Sequence, residues 1–224
     1  MNRTADARHH DLDDLRERVR VERGGRRDDS TPQLAAADAE LCALAPVLSD
    51  GTVRTGAQAD VAVSVQSAVK PFLFALALLD TRGRALERIV RGLSAFAARD
   101  LDVDIADSEH LLGDRNHALA HLMRAEGTLR VGADDAVAVH ARACAVLVDA
   151  RVLAVRGATS ASGGRNPVPG EQVVPPEVAR DVVSIMATVI SPPLDEQGTS
   201  VRGRIACEEL SADLGLHVFG SRAL

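Results

Sequence analysis

The chain has 224 residues, of which 46% are hydrophobic and 26% charged, which is sufficient for one buried core. A net charge of −6, no Trp or Tyr and only four Phe argue against a nucleic-acid partner, because phosphates require cations and bases require aromatic side chains to stack on. The longest uncharged apolar run, Pro71 to Leu79, is too short to span a membrane, and the N-terminus has no apolar signal core. We therefore expect a cytoplasmic protein with neither a nucleic-acid nor a membrane partner.

The cysteine content gives no indication of redox chemistry. Cys42, Cys144 and Cys207 are an odd number of widely spaced residues without a CxxC pair. This pattern favours reduced, buried thiols over a disulfide framework or a zinc site. We expect no cofactor.

The N-terminal segment has the pattern of a surface helix. Apolar residues recur at helical spacing from Leu12 to Val19 among many Arg, Asp and Glu residues, which predicts a solvated helix with one narrow apolar stripe. A loop is predicted over Gly24 to Ser30. We therefore divide the chain into an N-terminal helix and loop, residues 1–30, and a main domain, residues 31–224.

Short strands are predicted next, between Leu41 and Val65. The segment Ala43 to Leu48 is followed by a turn at Ser49-Asp50-Gly51, and the valines from Val61 to Val65 alternate with other residues. This pattern indicates an antiparallel start to the domain.

The periodicity becomes helical at Gln66. Ser67 to Leu79 predicts a helix, since Pro71 is tolerated within the first turn, and a long loop is predicted over Thr159 to Pro175. Further helices are predicted over Arg84 to Ala98, Arg115 to Glu126, Asp134 to Val155, Pro176 to Thr188 and Val201 to Leu214. Strands near both ends and helices between them predict an α+β fold, an antiparallel sheet flanked by helices.

Ser67 and Lys70 form an SxxK pattern at the start of the predicted helix. Residues i and i+3 share a helix face, so the amine can reach the hydroxyl and act as base to a serine nucleophile. Lys70 is the only Lys among 26 basic residues. An amine can be made neutral by burial, whereas a guanidinium cannot be deprotonated, so a base at this position requires Lys and requires it to be buried. The alternative is that this single Lys remains in the sequence by chance and has no catalytic role.

Two other patterns are weaker. His117 and His121 have the i, i+4 spacing of zinc ligands, but there is no HExxH motif and a third ligand such as His110 or His140 is not fixed by the sequence. We predict no metal site. The acids from Asp100 to Asp104 alternate with apolar residues, which favours a solvated strand or loop face over paired catalytic acids.

Four collinear blocks resemble the serine-dependent glutaminases, which share the serine β-lactamase and penicillin-binding-protein fold. The blocks are Gly51 to Val53 with Gln66 to Phe72, Ser108-Glu109 with Asp114 to Ala120, Ala161 to Gly170, and Ser191 to Gly203. The resemblance implies hydrolysis of L-glutamine to L-glutamate and ammonia through an acyl ester on Ser67, with Lys70 as base.

The resemblance also implies the substrate contacts. Gln66 and Ser67 lie in the first block, and Glu109 and Asn116 match residues that bind the amino-acid end of glutamine in the family. His140 stands where the family has a substrate-contacting Tyr. Homo-oligomers are common in the family, so a homo-oligomer is expected.

Two internal segments of the family have no counterpart, one near Arg84 to Arg91 and one near Val189 to Ser191. They carry a substrate-binding Asn, a second Tyr, the KSG strand and one oxyanion-hole N–H group. We therefore predict an incomplete fold and an impaired glutaminase. The alternatives are an inactive pseudoenzyme or truncated scaffold with an interaction role, and an enzyme that hydrolyses a different small amide or ester.

Overall fold

The computed structural model describes residues 12–22, 24, 27–79, 101–189, 205 and 209. The helix predicted over Arg84 to Ala98 and the block Ser191 to Gly203 lie outside these residues. So does the helix predicted over Val201 to Leu214, except that Ile205 and Glu209 are helical.

The described residues form eight α-helices and two short strands. In chain order they are α1 (Leu12–Arg20), α2 (Pro32–Ala35), β1 (Val63–Ser64), a 3₁₀ helix (Gln66–Val69), α3 (Lys70–Leu79), α4 (Val103–Leu112), α5 (Asp114–Ala125), α6 (Ala133–Cys144), β2 (Leu147–Val148), α7 (Ala150–Ala161) and α8 (Pro176–Val189). Among them, no helix is long and apolar enough to cross a membrane.

The sheet is an antiparallel pair, β1 with β2, in which Val63 faces Val148 and Ser64 faces Leu147. The Val65 N–H extends the pairing by donating to the Val146 carbonyl at 2.8 Å. Helices flank this pair, so the predicted α+β class is confirmed. β1 lies within the segment Val61 to Val65 that the sequence predicts as a strand, whereas β2 lies in a segment predicted as a helix. The strands expected towards the C-terminal end lie outside the described residues.

The predicted helix Asp134 to Val155 is wrong, because the structure divides it into α6, β2 and α7. Val146 and Val148 are fully buried, and Val146 also bridges to Leu101. The Asp149 side chain then accepts the Val152 N–H at 2.8 Å and starts α7. Burial of β-branched residues against a distant strand thus overrides the local helical pattern. Because α7 runs to Ala161, the following loop begins later than predicted.

The interpretation of Asp100 to Asp104 as a strand or loop face is also wrong from Asp102 onward. Asp102 is the N-cap of α4 and accepts the Ile105 N–H at 3.0 Å, and Asp104 lies in the first turn of that helix. Carboxylates are favoured at this end of a helix because they satisfy free N–H groups and the positive end of the dipole.

Replacing Asp102 with alanine should therefore destabilise the fold. We expect a loss of about 1 kcal/mol in the free energy of unfolding, the usual value of an N-cap side chain. Urea denaturation of the two proteins measures the difference. Asp102→Asn keeps an acceptor and should recover most of the loss, and equal destabilisation by both substitutions would contradict the capping role.

The predicted hairpin after Leu41 is present as a short pairing. The Leu48 N–H donates to Thr52 O at 2.9 Å, and Val47 bridges to Val53. Gly51 has a φ of +86°, and a Cβ there would overlap the Pro167 carbonyl, so only glycine fits this turn. The hairpin thus lies directly against the loop that precedes α8.

The N-terminal helix packs as its apolar stripe predicts. Leu15 and Val19 are buried against Cys42, Leu44 and Ile205. Cys42 and Cys144 are free thiols, half-buried and buried respectively, as predicted, while Cys207 lies outside the described part of the chain.

The largest core cluster positions the start of α3. Its buried members are Val65, Val69, Ala143, Cys144, Val146 and Val148, with Phe72, Leu73 and Leu76 of α3 packed against them. Val65 and Val69 therefore anchor both ends of the Gln66–Val69 turn against the end of α6. Helices α5 and α8 begin and end within one residue of the predicted bounds.

Candidate active site

Ser67 lies on a tight connection between β1 and α3. Gln66 precedes it with a φ of +48°, an unusual value for a residue with a side chain. The buried side chains of Val65 and Val69 hold the backbone on either side of this strained position. The Ser67 side chain is exposed, so its hydroxyl is presented to solvent at the surface of the turn.

Lys70 begins α3 one turn after Ser67. Its N–H donates to the Ser67 carbonyl, which fixes the two residues in consecutive turns of one helical segment. The Lys70 side chain is exposed, and the expected burial of this residue is therefore wrong. In this structure, the core beneath the turn is formed by Val69 and leaves the neighbouring lysine at the surface.

Glu109 of α4 is half-buried beside Gln66 and Lys70. Burial raises the pKa of the Glu109 carboxyl group, and the charge of Asp28 raises it further, whereas a hydrogen bond from the Gln66 side chain and the charge of Lys70 oppose the shift. The Gln66 amide also donates to Ser64 Oγ at 3.0 Å. Gln66 thus connects the β1 end to the carboxylate.

His140 and Cys144 lie one turn apart on α6, with 3.6 Å between Cys144 Sγ and His140 Nε2. Burial lowers the pKa of His140, and the charge of Lys70 lowers it further. Burial, together with the charge of Glu109, raises the pKa of the Cys144 thiol to about 12 against the effect of Lys70. The thiol is therefore protonated at neutral pH and is not a nucleophile, and the imidazole is neutral.

Four of the six predicted site residues therefore lie close enough to interact through hydrogen bonds or charges: Gln66, Lys70, Glu109 and His140. Ser67 lies on the same turn as Gln66. Cys144 also lies here, although the sequence predicts it only as a buried thiol. Its i, i+4 spacing from His140 on α6 was the available signal.

Asn116 is half-buried in the first turn of α5, and the break between α4 and α5 sets its position relative to Glu109. A Cβ at Gly113 would lie 2.5 Å from the Glu109 carbonyl oxygen and 3.5 Å from Asn116 Nδ2. Gly113 therefore allows the Glu109 backbone and the Asn116 side chain to lie close together.

Replacing Gly113 with alanine should force this turn apart. We expect a loss of about 1–3 kcal/mol in the free energy of unfolding, as for other substitutions that overfill a packed site. Gly157 is the control, because a Cβ there meets nothing within 4 Å and alanine favours the α7 helix. Urea denaturation should show Gly113→Ala destabilised and Gly157→Ala unchanged or stabilised, whereas equal effects would contradict the close approach.

The raised pKa of Glu109 predicts a pH dependence of stability. The unfolded chain loses this proton at a lower pH than the folded protein, so the stabilisation is full below the unfolded pKa and is lost as pH rises through the folded one. Glu109→Gln cannot titrate. Its stability relative to the unchanged protein should therefore increase from about pH 4 to about pH 7. Denaturation midpoints across this range measure the difference, and a constant or falling difference would contradict the shift.

Comparison with known proteins assigns the family. A family model described as Glutaminase matches residues 80–189. The glutaminase of Clavibacter michiganensis subsp. michiganensis is 44% identical over 298 aligned positions, covering 94% of this chain and 92% of that protein. At least 74 of those 298 positions have no counterpart in a chain of 224 residues. This length difference fits the segments that the sequence lacks.

Solved structures agree. Mglu in its L-glutamate-binding form superposes with a TM-score of 0.84 at 27% identity, covering 94% of this chain and 68% of that one. The Bacillus subtilis glutaminase YbgJ, at 18% identity and a TM-score of 0.79 over 93% of this chain and 98% of that one, shares the fold. The serine β-lactamase-like fold predicted from the sequence is thus confirmed, and this chain belongs to the glutaminase family.

Proposed function

We propose that the chain hydrolyses the side-chain amide of L-glutamine to L-glutamate and ammonia, with Ser67 as nucleophile and Lys70 as base. The observation that carries the proposal is the placement of an exposed serine on a strained turn, one helical turn before the lysine. Residues 31–224 form the catalytic unit after the 1–30 segment. We also propose that the protein is cytoplasmic and assembles as a homo-oligomer.

The reaction proceeds in two steps. Neutral Lys70 Nζ takes the proton of Ser67 Oγ as the oxygen attacks the side-chain carbonyl carbon of glutamine, and the proton leaves with the amide nitrogen as ammonia. Water then attacks the ester, again losing a proton to the base, and the Ser67 oxygen leaves with a proton as glutamate is released. One glutamine and one water thus give one glutamate and one ammonia.

The amino-acid end of the substrate is proposed to bind beside this serine. The Glu109 carboxylate suits the α-ammonium group, and the Asn116 amide can donate to the α-carboxylate. Gln66 holds Glu109 through its side-chain hydrogen bond. The L-glutamate-binding form of Mglu supports an amino-acid ligand for this family member.

His140 is proposed to take part of the role that a tyrosine has in the family. Because burial lowers the pKa of His140, its ring is neutral at pH 7 and has one donor and one acceptor nitrogen. Cys144 lies next to Nε2 and can donate to it, which leaves Nδ1 as the protonated nitrogen. A neutral imidazole of this kind can donate to the substrate or pass a proton.

Turnover is proposed to be slow. Lys70 is exposed, so it lacks the burial that would favour a neutral amine over the hydrated ammonium group. Loss of one oxyanion-hole donor costs about a hundred- to a thousandfold in rate, and the segments missing from this chain carry one. The alternative, an inactive scaffold, corresponds to the complete loss of turnover.

The nucleophile can be identified by covalent labelling. The Bacillus subtilis glutaminase YbgJ forms a covalent complex with 5-oxo-L-norleucine on reaction with 6-diazo-5-oxo-L-norleucine. We expect the same reagent to label this chain once, on Ser67, as read by mass spectrometry of peptides. Ser67→Ala should abolish the adduct and Ser162→Ala, an exposed serine after α7, should retain it. An adduct that persists in Ser67→Ala would overturn the assignment, and a folded chain that is never labelled would favour the scaffold.

A further inference from the structure

Outside the proposed active site, three helices bring two histidines and an aspartate together. His110 is in the last turn of α4, His117 in the first turn of α5 and Asp134 in the first turn of α6. One ligand atom from each lies within 4.8 Å of the other two. The i, i+4 spacing pairs His117 with His121, but His121 is not a member of this cluster. His140 lies instead beside Lys70 and Cys144.

We propose that His110, His117 and Asp134 bind a divalent transition-metal ion of the zinc type. Two imidazole nitrogens and one carboxylate oxygen form a ligand set that suits zinc and leaves a fourth position for water. The site is accessible, because the Asp134 side chain is 77% exposed while the two histidines are about one-third exposed or less.

The hydrogen bonds of His117 orient it as a metal ligand. Its Nε2 lies 2.9 Å from the His110 carbonyl oxygen, and because a carbonyl can only accept, Nε2 must carry the proton. In the neutral ring Nδ1 then has a free lone pair. Fixing of one ring nitrogen by a carbonyl is the arrangement that commonly orients a metal-binding histidine.

The distances leave room for an ion between the ligands. His117 Nδ1 faces Asp134 Oδ1 at 4.0 Å, which is too long for a hydrogen bond, and both atoms are acceptors in the neutral state. His110 Nε2 lies 3.0 Å from the same oxygen. Two ligands about 2.1 Å from a tetrahedral ion are about 3.4 Å apart, between the two observed separations. Binding requires that the His110 proton move from Nε2 to Nδ1 and that the ligand atoms shift by about half an ångström towards this separation.

A bound ion would link the α4–α5 turn to α6, because two of its ligands lie on either side of that turn and the third lies on α6. His110 directly follows Glu109, and His117 directly follows Asn116, so a bound ion would fix the turn that carries both proposed substrate ligands. This consequence rests on the proposed function, whereas metal binding itself does not.

Titration of the full chain with Zn²⁺ by calorimetry tests the site. We expect one ion per chain, and Mg²⁺ should not compete because it prefers oxygen ligands. His117→Gln and Asp134→Asn should each weaken binding by about 100-fold or more, since even outer-shell changes cost 10- to 100-fold. Asp134→Asn is a surface change that should leave the fold intact. His121→Gln and the double variant His9→Gln, His10→Gln should bind as tightly as the unchanged chain.

Zinc binding that is absent, or that is unchanged in Asp134→Asn, would overturn the site. The absorption spectrum of the Co²⁺ form gives an independent readout, because a nitrogen and oxygen tetrahedral site should show intense visible bands that Asp134→Asn loses. The consequence for the active site is measured separately, as a zinc-dependent KM for glutamine in the unchanged chain and not in Asp134→Asn. An unchanged KM with zinc bound would overturn that consequence alone.

Discussion

Lys70→Arg is expected to reduce ammonia release from L-glutamine by at least about 100-fold while leaving the fold intact. General-base catalysis contributes about a hundred- to ten-thousandfold, and a guanidinium cannot accept the serine proton. The substitution keeps a positive charge beside Glu109 and His140, so the electrostatic neighbourhood changes little. Because Lys70 is exposed, the longer side chain meets no packing restriction.

The measurement is the rate at which a serine-directed probe acylates Ser67 in Lys70→Arg and in the unchanged chain. Circular dichroism and the denaturation midpoint should match those of the unchanged chain. Equal rates of acylation in Lys70→Arg and the unchanged chain would reject the lysine as the base. The third possibility, a different small amide or ester as substrate, predicts the same loss with that substrate in place of glutamine.

Glu109→Gln is expected to raise the KM for glutamine by about 10- to 100-fold. A hydrogen bond to a charged group contributes about 1.5–3 kcal/mol, which corresponds to that range. The rate at saturating glutamine should change less, because the proposed contact is made with the amino-acid end and not with the reacting amide. The same variant should be more stable at neutral pH, since an uncharged side chain is easier to bury.

These two effects of Glu109→Gln have opposite signs, which excludes unfolding as the cause of weaker binding. Glu126→Gln is the matched control, because Glu126 is an exposed glutamate at the C-terminal end of α5 and is not a proposed substrate ligand. An unchanged KM in Glu109→Gln would contradict the role of this carboxylate as a substrate ligand.

The sequence predicts the helical backbone that carries Ser67 and Lys70. Ser67 and Lys70 are placed by a change of periodicity, by Pro71 in the first turn and by a spacing of three residues, all of which act within one segment of chain. The 3₁₀ geometry and the positive φ of Gln66 were not predicted, because no glycine marks the position and buried neighbours enforce it.

The errors lie where distant segments decide the structure. The local pattern predicts a helix over residues 146–148, because their pairing partner, β1, is more than 80 residues away in the chain. The exposure of Lys70 depends on which segments cover α3, and this cannot be inferred from its own neighbours in the sequence. Likewise, His110, His117 and Asp134 come from three helices, and only the packing of those helices shows that they meet.

We propose that this member of the glutaminase family uses Ser67 as its nucleophile and has a weakened site. Steady-state ammonia release from L-glutamine tests it most directly, with the unchanged chain, Ser67→Ala and the Clavibacter michiganensis glutaminase assayed side by side. We predict measurable release that Ser67→Ala abolishes, at a turnover number about a hundred- to a thousandfold below that of the relative. Release that persists in Ser67→Ala, or a turnover number within about tenfold of the relative, would contradict this account.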